Sequence, residues 1–366
     1  MATSSRSMRV FCLDVGQGDC TFVLPPDGAP AILFDCKDAH VASMFVRHHR
    51  IKKISAIIFS HLDVDHIAGG QQFIEDFLAG GGAIEYVYID RDRRLDDAKT
   101  DGITAKKLMD FVRERGLAHK LQMLTPRADP AEVDRAHHAD WSVRIIGPRQ
   151  ETVMGVARGH LAEEANVYSA VLRVEFGGKA VAVGGDAPLV SWAAMTPEDL
   201  PAAVLRIPHH GGALDDGGPA PGWSAQHLYD TVRPEMGIIS VGTRNQHKHP
   251  HADWVSPLLA RCTTVCTQVT PRCEPELQSE AGVLAYRDRI LRERWAEDAA
   301  PAWRHRPDKR NKHDDPPRNE VPCAGTVEIV LREDGTWHRL PRAGSTHETA
   351  TIPLFQRPWC KHGPPP

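Results

Sequence analysis

Four side chains able to bind metal, His61, Asp63, Asp65 and His66, fall within six residues directly after the apolar run Ile54 to Phe59. So much charge and imidazole beside a buried strand is costly unless cations or counter-charges satisfy it. Whatever fold the chain adopts must therefore bring further ligands to this segment. A loop leaving a strand projects alternate residues to one side, so His61, Asp63 and Asp65 can converge while His66 turns toward the next helix. Imidazole favours Zn²⁺, Fe or Mn²⁺, and carboxylates add hard oxygen donors. A polar surface loop ending in a helix cap needs no such concentration of ligands.

Three other positions just past apolar strands supply candidates: Asp186 after Val181 to Gly185, the pair His209-His210 after Val204 to Pro208, and His249 after Val241. Ligands at the ends of different strands meet at one edge of a sheet, where rigid strands hold loop residues in place. Singly, each has an ordinary explanation as a turn or surface residue. Together they extend the metal reading.

Short strand-like runs alternate with helical patterns over the first 270 residues or so. The opening runs, Val10 to Leu13, Thr21 to Leu24 and Ala31 to Phe34, are joined by turn chemistry and read as antiparallel. Helices are expected over Val41 to His49, Ile67 to Leu78, Ala105 to Glu114 and Ser224 to Val232, with a hairpin around Gly177-Gly178. Mixed strands with helices outside predict a layered α/β (α+β) protein. Beyond residue 285 charge and proline dominate, so we divide the chain into a main domain, 1–275, and a C-terminal appendage, 276–366. That appendage comprises a solvated insert, a hairpin around Glu333-Asp334-Gly335 and a Pro-rich tail.

The chain carries 44 Lys+Arg against 48 Asp+Glu, a formal charge of −4, so no global basic field draws it to nucleic acid or anionic lipid. No apolar run reaches the roughly 18 residues that suggest a membrane-spanning helix, and the N-terminus lacks a signal-peptide core. A cytoplasmic protein without membrane association is expected. Eight cysteines, three near the start and five after position 260, are too sparse for a secreted disulfide scaffold. Cys262, Cys266, Cys273 and Cys323 are a candidate structural zinc site, with Cys360 further downstream, although buried free thiols are the commoner fate. Cys12, Cys20 and Cys36 read as core.

Seven blocks stand in an order that resembles the metallo-β-lactamase superfamily, in the branch typified by the hydrolase-like domain of the DNA-uptake protein ComEC. They are Leu13-Asp14-Val15-Gly16-Gln17-Gly18-Asp19, Phe34-Asp35, His61-x-Asp63-x-Asp65-His66, Asn166-x-x-Ser169, Gly185-Asp186, Pro208-His209-His210-Gly211, and Val241-Gly242 with Asn245 and His249-Pro250. The resemblance covers roughly residues 8 to 270 and implies a four-layer αββα sandwich with metals at one sheet edge. It places His61 and Asp63 with a first cation, Asp65 and His66 with a second, and Asp186 as the bridging carboxylate. One of His209 and His210 completes the second site, with His210 favoured. Asp35 and Asp14 support the ligands, and Asn166, Ser169, Asn245 and His249 line the pocket.

Two departures from the superfamily pattern bear on the chemistry. Asp63 stands where a second His is usual, which makes the first position richer in oxygen and more hospitable to Mn²⁺. The usual first-site His has no counterpart: His160 lacks a suitable context and Asn166 occupies the expected block. One or two divalent ions, Zn²⁺ or Mn²⁺, are expected as cofactors. They would generate hydroxide at neutral pH, with Asp65, His210 and His249 as the catalytic residues. The resemblance implies a phosphodiesterase or nuclease acting on a phosphodiester or nucleic acid. A lactone, thioester or amide hydrolase of the same fold, or a non-enzymatic metal-stabilised regulator, are the alternatives. Arg91 to Arg94 and the basic residues between Arg304 and Lys312 are candidate polyanion contacts, balanced by acidic neighbours.

Overall fold

A computed structural model describes residues 6–90, 100–117, 120–124, 131–133, 140–157, 165–286, 321–340, 352 and 355–362. The basic clusters at 91–94 and 304–312, His160 and the charged insert at 287–320 lie outside the described residues. In chain order the first strands are β1 (Ser7–Cys12), β2 (Cys20–Leu24) and β3 (Ala31–Cys36). Helix α1 (Ala39–His48), strand β4 (Lys53–Ile58), helices α2 (Val64–Ile67) and α3 (Gly70–Ala79), strand β5 (Ala83–Asp90), helix α4 (Thr100–Glu114) and strand β6 (Leu121–Leu124) follow. The second half comprises β7 (Ala131–Glu132), β8 (Trp141–Gly147), α5 (Gln150–Ala157), β9 (Val171–Phe176), β10 (Lys179–Val183), α6 (Leu189–Ala193) and β11 (Val204–Arg206). It continues through α7 (Ala225–Val232), β12 (Met236–Ile239), α8 (Ala252–Leu259), β13 (Thr263–Cys266), β14 (Val327–Arg332) and β15 (Trp337–Leu340).

Two sheets result. The first has eight strands in the order β15-β14-β1-β2-β3-β4-β5-β6, and the second has seven, β13-β12-β11-β10-β9-β8-β7. Period-two alternation explains why they stack. In β1, Phe11 faces a cluster containing Phe45 of α1 and Phe73 of α3, while Val10 and Cys12 face Val174, Val181 and Ile238 of the opposite sheet. The second sheet's outer face turns Leu205 and Ile239 toward Leu228 of α7 and Val255 of α8. Three apolar layers between four structural layers give an αββα sandwich. Both faces of the central strands are covered, and the strands accordingly read as continuous apolar runs.

Local chemistry sets several boundaries. Asp38 caps α1 by accepting from His40 N and Val41 N. The single helix expected over Ile67 to Leu78 is divided, because Gly69 N donates to Cys36 O at 2.8 Å and ties the chain to the end of β3. Cys12, Cys20 and Cys36 are buried in the core.

The hairpin assigned on sequence to a C-terminal appendage belongs to the first sheet. Strand β14 pairs antiparallel with β1 over six residues, Ser7 opposite Arg332 through Cys12 opposite Val327. Val327, Ile329 and Leu331 are fully buried between the sheets. A cut at residue 275 would therefore leave β1 as an open edge, and the sandwich extends to residue 340. Among the described residues, no helix is long and apolar enough to cross a membrane.

Candidate metal centre

Strands β3 and β4 run parallel, as do β10, β11 and β12. Their C-terminal ends meet at one end of the sandwich, where open parallel sheets characteristically place ligands. Asp35 ends β3, the Ser60–His66 loop leaves β4, Asp186 follows β10, His209 and His210 follow β11, and the Ser240–His249 loop leaves β12.

Two turns hold these loops together. Gly18, at φ +133°, lies so close to the metal loop that a Cβ there would come within 2.3 Å of Asp65 O, and the next residue donates Asp19 N to the same carbonyl at 2.9 Å. Gly185, at φ +52°, leaves no room for a side chain against Ser169 Oγ, which accepts from Asp186 N at 2.9 Å. Asp35, His209 and His210 also have positive φ, between 52° and 59°. Such conformations are uncommon in residues other than glycine and cluster at functional sites.

The predicted ligands converge. His66 Nε2 lies 3.2 Å from Asp186 Oδ1, and His210 Nε2 lies 3.3 Å from Asp65 Oδ2 and 3.7 Å from Asp186 Oδ1. On the other side of the same carboxylate, His61 Nε2 is 3.7 Å from Asp186 Oδ2 and 3.5 Å from Asp63 Oδ2. His209 Nε2 is 4.0 Å from Asp186 Oδ2. The adjacent histidines thus divide, His210 toward Oδ1 and His209 toward Oδ2, and both adopt left-handed backbone geometry. Sequence alone could not separate them.

Burial and charge in this cluster oppose each other. Burial and neighbouring His66 resist protonation of His61, yet Asp63 and Asp186 raise its pKa above the ordinary value. Burial likewise resists charge on His66, but Asp186 and Asp35 carry it well above its usual range. Asp186 and Asp65, which burial alone would push up, are both held down: Asp186 chiefly by His66 and His210, Asp65 by His210 and then His66. Despite these attractions, Nε2 of His61, His66 and His210 and Oδ1 of Asp186 are buried without hydrogen-bond partners. Buried polar atoms ordinarily find partners. Four that face one another without any fit the donor set of a divalent cation, and His61, His66 and Asp186 present ligand atoms within 4.8 Å of one another.

Supporting contacts aim these rings. Asp35 Oδ2 accepts from His66 Nδ1 at 2.8 Å and from Ser60 Oγ at 2.8 Å, while Oδ1 accepts from Ser60 N at 2.7 Å. A carboxylate on Nδ1 leaves the Nε2 lone pair to face the cluster. His210 Nδ1 donates to Ser240 O at 2.8 Å, and His209 Nδ1 to Ala213 O at 2.6 Å.

Two residues beside the cluster had no site role on sequence, although Asp19 ends the first resemblance block. Asp19 and Arg206 form a bidentate, fully buried ion pair, and Asp19 also lies 3.3 Å from His210 Nδ1. An arginine inside the apolar run Val204 to Ile207 was the available signal, since a buried guanidinium requires a counter-ion.

Other expected residues fall in different places. Asp14 receives Gln268 Nε2 at 2.9 Å, and its backbone N donates to Thr326 Oγ1, so its described contacts join β1 to the C-terminal segment. Asn166 Nδ2 donates to Asp216 at 2.6 Å. Asn245 clasps its own loop, donating to Gly242 O and His249 O and accepting from His249 N. His249 packs 5.2 Å from the His209 ring, outside the ligand groups, and burial with its histidine neighbours lowers its pKa to about 3. The four-cysteine set is rearranged. The Cys266 thiol is pushed well up by burial and then by Cys273, Cys323 and Cys360, whereas Cys262 sits beside Thr264 and Arg261. Among the described residues, neither group with metal-ligating geometry contains a cysteine.

No protein-family model matches the chain. It is 22% identical over 260 residues to ComE operon protein 3 of Bacillus subtilis (strain 168), a match covering 65% of this chain and 29% of that protein's length. Among solved structures it is similar to the metallo-β-lactamase fold protein YhfI from Bacillus subtilis, with 10% identity, coverage of 71% of this chain and 96% of the other, and a TM-score of 0.42. It is also similar to human tRNase Z, short form, with 14% identity, coverage of 64% and 92%, and a TM-score of 0.38. The double-sheet sandwich whose parallel strands end in these ligand loops is consistent with the metallo-β-lactamase sandwich that the sequence resemblance implies, and the chain is similar to ComE operon protein 3 over less than a third of that protein's length.

Proposed function

We propose that the chain is a metal-dependent hydrolase of phosphodiesters, with nucleic acid the leading substrate class. The observation that carries this reading is the set of buried, unpartnered ligand atoms on His61, His66, His210 and Asp186. His61, Asp63, His209 and Asp186 would hold one divalent ion, and Asp65, His66, His210 and Asp186 the other. Zn²⁺ or Mn²⁺ at these positions supplies Lewis acidity toward a phosphoryl oxygen and lowers the pKa of coordinated water.

The protein's own groups do the rest. Asp35 and Asp19 keep the Nε2 atoms of His66 and His210 aimed at the cluster. Ser169 fixes Asp186 through its backbone N–H. His249, with a pKa lowered to about 3 by burial and its histidine neighbours, is a neutral imidazole at physiological pH, with one ring N–H and one acceptor nitrogen. Its role is to exchange a hydrogen bond with a substrate oxygen. His209 takes the place of the first-site histidine that the sequence lacks.

The test is hydrolysis of bis(p-nitrophenyl) phosphate, DNA, RNA, a lactone and a thioester by the Mn²⁺- or Zn²⁺-loaded protein, with Asp65→Ala alongside. Phosphodiester cleavage that disappears in the variant is expected. Turnover of carbonyl substrates alone, or diester turnover that survives in Asp65→Ala, overturns the reading.

A further inference from the structure

Strand β13 and the C-terminal segments carry chemistry that hydrolysis at the histidine cluster does not use. Among the described residues no cysteine forms a disulfide, yet four of them come together from four separate stretches of chain. Cys266 ends β13, Cys273 follows in a turn, Cys323 precedes β14, and Cys360 lies in a one-turn helix, α9 (Trp359–His362), that packs against β13. Backbone bonds fix these stretches to one another. Ala324 N donates to Cys266 O and Cys323 N to Thr267 O, both at 2.9 Å, and Arg357 N donates to Cys273 O at 2.8 Å.

The side chains follow the backbone. After burial, the groups that oppose ionisation of the Cys266 thiol are Cys273, Cys323 and Cys360, so all three lie near it. Burial raises the Cys273 thiol too, against backbone N–H groups of Trp359 and then Thr270 that bond its sulfur and favour the thiolate. Cys262, which the spacing in sequence grouped with the others, has Thr264 and Arg261 as its neighbours instead. A one-turn helix does not hold itself, and the large buried apolar side chains of its segment among the described residues are Ile352, Phe355 and Trp359. Phe355 and Cys323 belong to a satellite core of only six residues. Cores that small are ordinarily completed by a disulfide or a structural metal.

We propose that Cys266, Cys273, Cys323 and Cys360 form a structural zinc site that staples the C-terminal segment to β13. Four soft thiolates select Zn²⁺ and hold it tetrahedrally, at Zn–S distances of about 2.3 Å. No three of these sulfurs lie within 4.8 Å of one another, so binding draws them inward by rotation about χ1 and releases their protons to solvent. All four ligands are sulfur, whereas the histidine cluster offers nitrogen and oxygen donors. Spectroscopy therefore tells the two sites apart.

The experiment titrates Co²⁺ into the full-length, reduced, metal-free protein and follows the thiolate-to-cobalt charge-transfer absorption, which nitrogen and oxygen ligands do not give. The wild type should show the band, displaced by Zn²⁺, and Cys262→Ser should leave it unchanged. Cys360→Ser should lose it. Cys360→His should keep the ion with about three quarters of the band, because Cys₃His sites also hold zinc, and this variant separates loss of a ligand from loss of the fold. Absence of the band in the wild type, its removal by Cys262→Ser, or its survival intact in Cys360→Ser overturns the assignment. Thiol titration that finds these four cysteines paired as disulfides does the same. Diester hydrolysis has no part in the readout, so failure of the proposed activity leaves the zinc site standing.

Discussion

Asp35→Asn isolates the part of the site that aims His66. Asp35 is fully buried and accepts three hydrogen bonds, from Ser60 N at 2.7 Å and from Ser60 Oγ and His66 Nδ1, both at 2.8 Å. Asparagine has nearly the same volume and tolerates the φ of 59° at this position, so the backbone need not move. One carboxylate oxygen becomes an amide donor. If the remaining oxygen keeps Ser60 N, the amide faces Ser60 Oγ and His66 Nδ1. His66 then satisfies it only by accepting at Nδ1 and carrying its proton on Nε2, the atom that faces Asp186. The lost charge-assisted bond is worth about 1.5 to 3 kcal/mol. Outer carboxylates on ligating histidines typically contribute 10- to 100-fold in metal affinity, about 1.4 to 2.7 kcal/mol, which agrees. Chelator-competition titration of Mn²⁺ or Zn²⁺ should therefore show binding at the position His66 serves weakened by one to two orders of magnitude. Affinity within about threefold of wild type would refute the claim that Asp35 sets the His66 tautomer.

Three further outcomes follow from the structure. Arg206→Met leaves Asp19 buried without its counter-ion and should cost about 3 to 5 kcal/mol in urea unfolding; the double variant Asp19→Leu/Arg206→Met should regain most of that stability but not metal affinity, because His210 loses its Asp19 contact. A chain ending at residue 320 loses β14 and with it the burial of Val327, Ile329 and Leu331; at about 1.5 to 3 kcal/mol each, this rivals the 5 kcal/mol lower bound of typical domain stability, and calorimetry should find no cooperative transition. Metal-free protein should melt at lower temperature as pH rises from about 6.5, because the raised pKa of His66 contributes stability fully below the unfolded value and loses it on passing upward through the folded one. Loaded protein should show the opposite trend over that interval, since binding requires deprotonated ligands; parallel trends in the two forms would count against His66 as a ligand.

Much of the fold was legible because its signals are local. Alternating apolar runs, the turn at Gly177-Gly178 and the ligand-dense loop after β4 each depend on residues within a few positions of one another. The hairpin of β14 and β15 was also recognisable, but its partner was not. Its pairing with β1 joins residues more than 300 positions apart, and the charged insert before it disguised a buried strand as part of a tail. The helix after the metal loop was expected whole; its interruption comes from a hydrogen bond to β3 that no helical periodicity reports.

The site divides in the same way. Chemistry and spacing nominated His61, Asp63, Asp65 and His66 as candidates, and strand ends nominated Asp186, His209, His210 and His249. Residue type alone decides which groups can bind a cation, so these were available from sequence. Which oxygen of Asp186 each histidine faces, and that Asp19 pairs with Arg206, depend on backbone torsions and on bringing β1, β3, β4, β10 and β11 to one end of the sandwich. Contacts at such separations are set by the packing of whole sheets, and only the tertiary structure decided them.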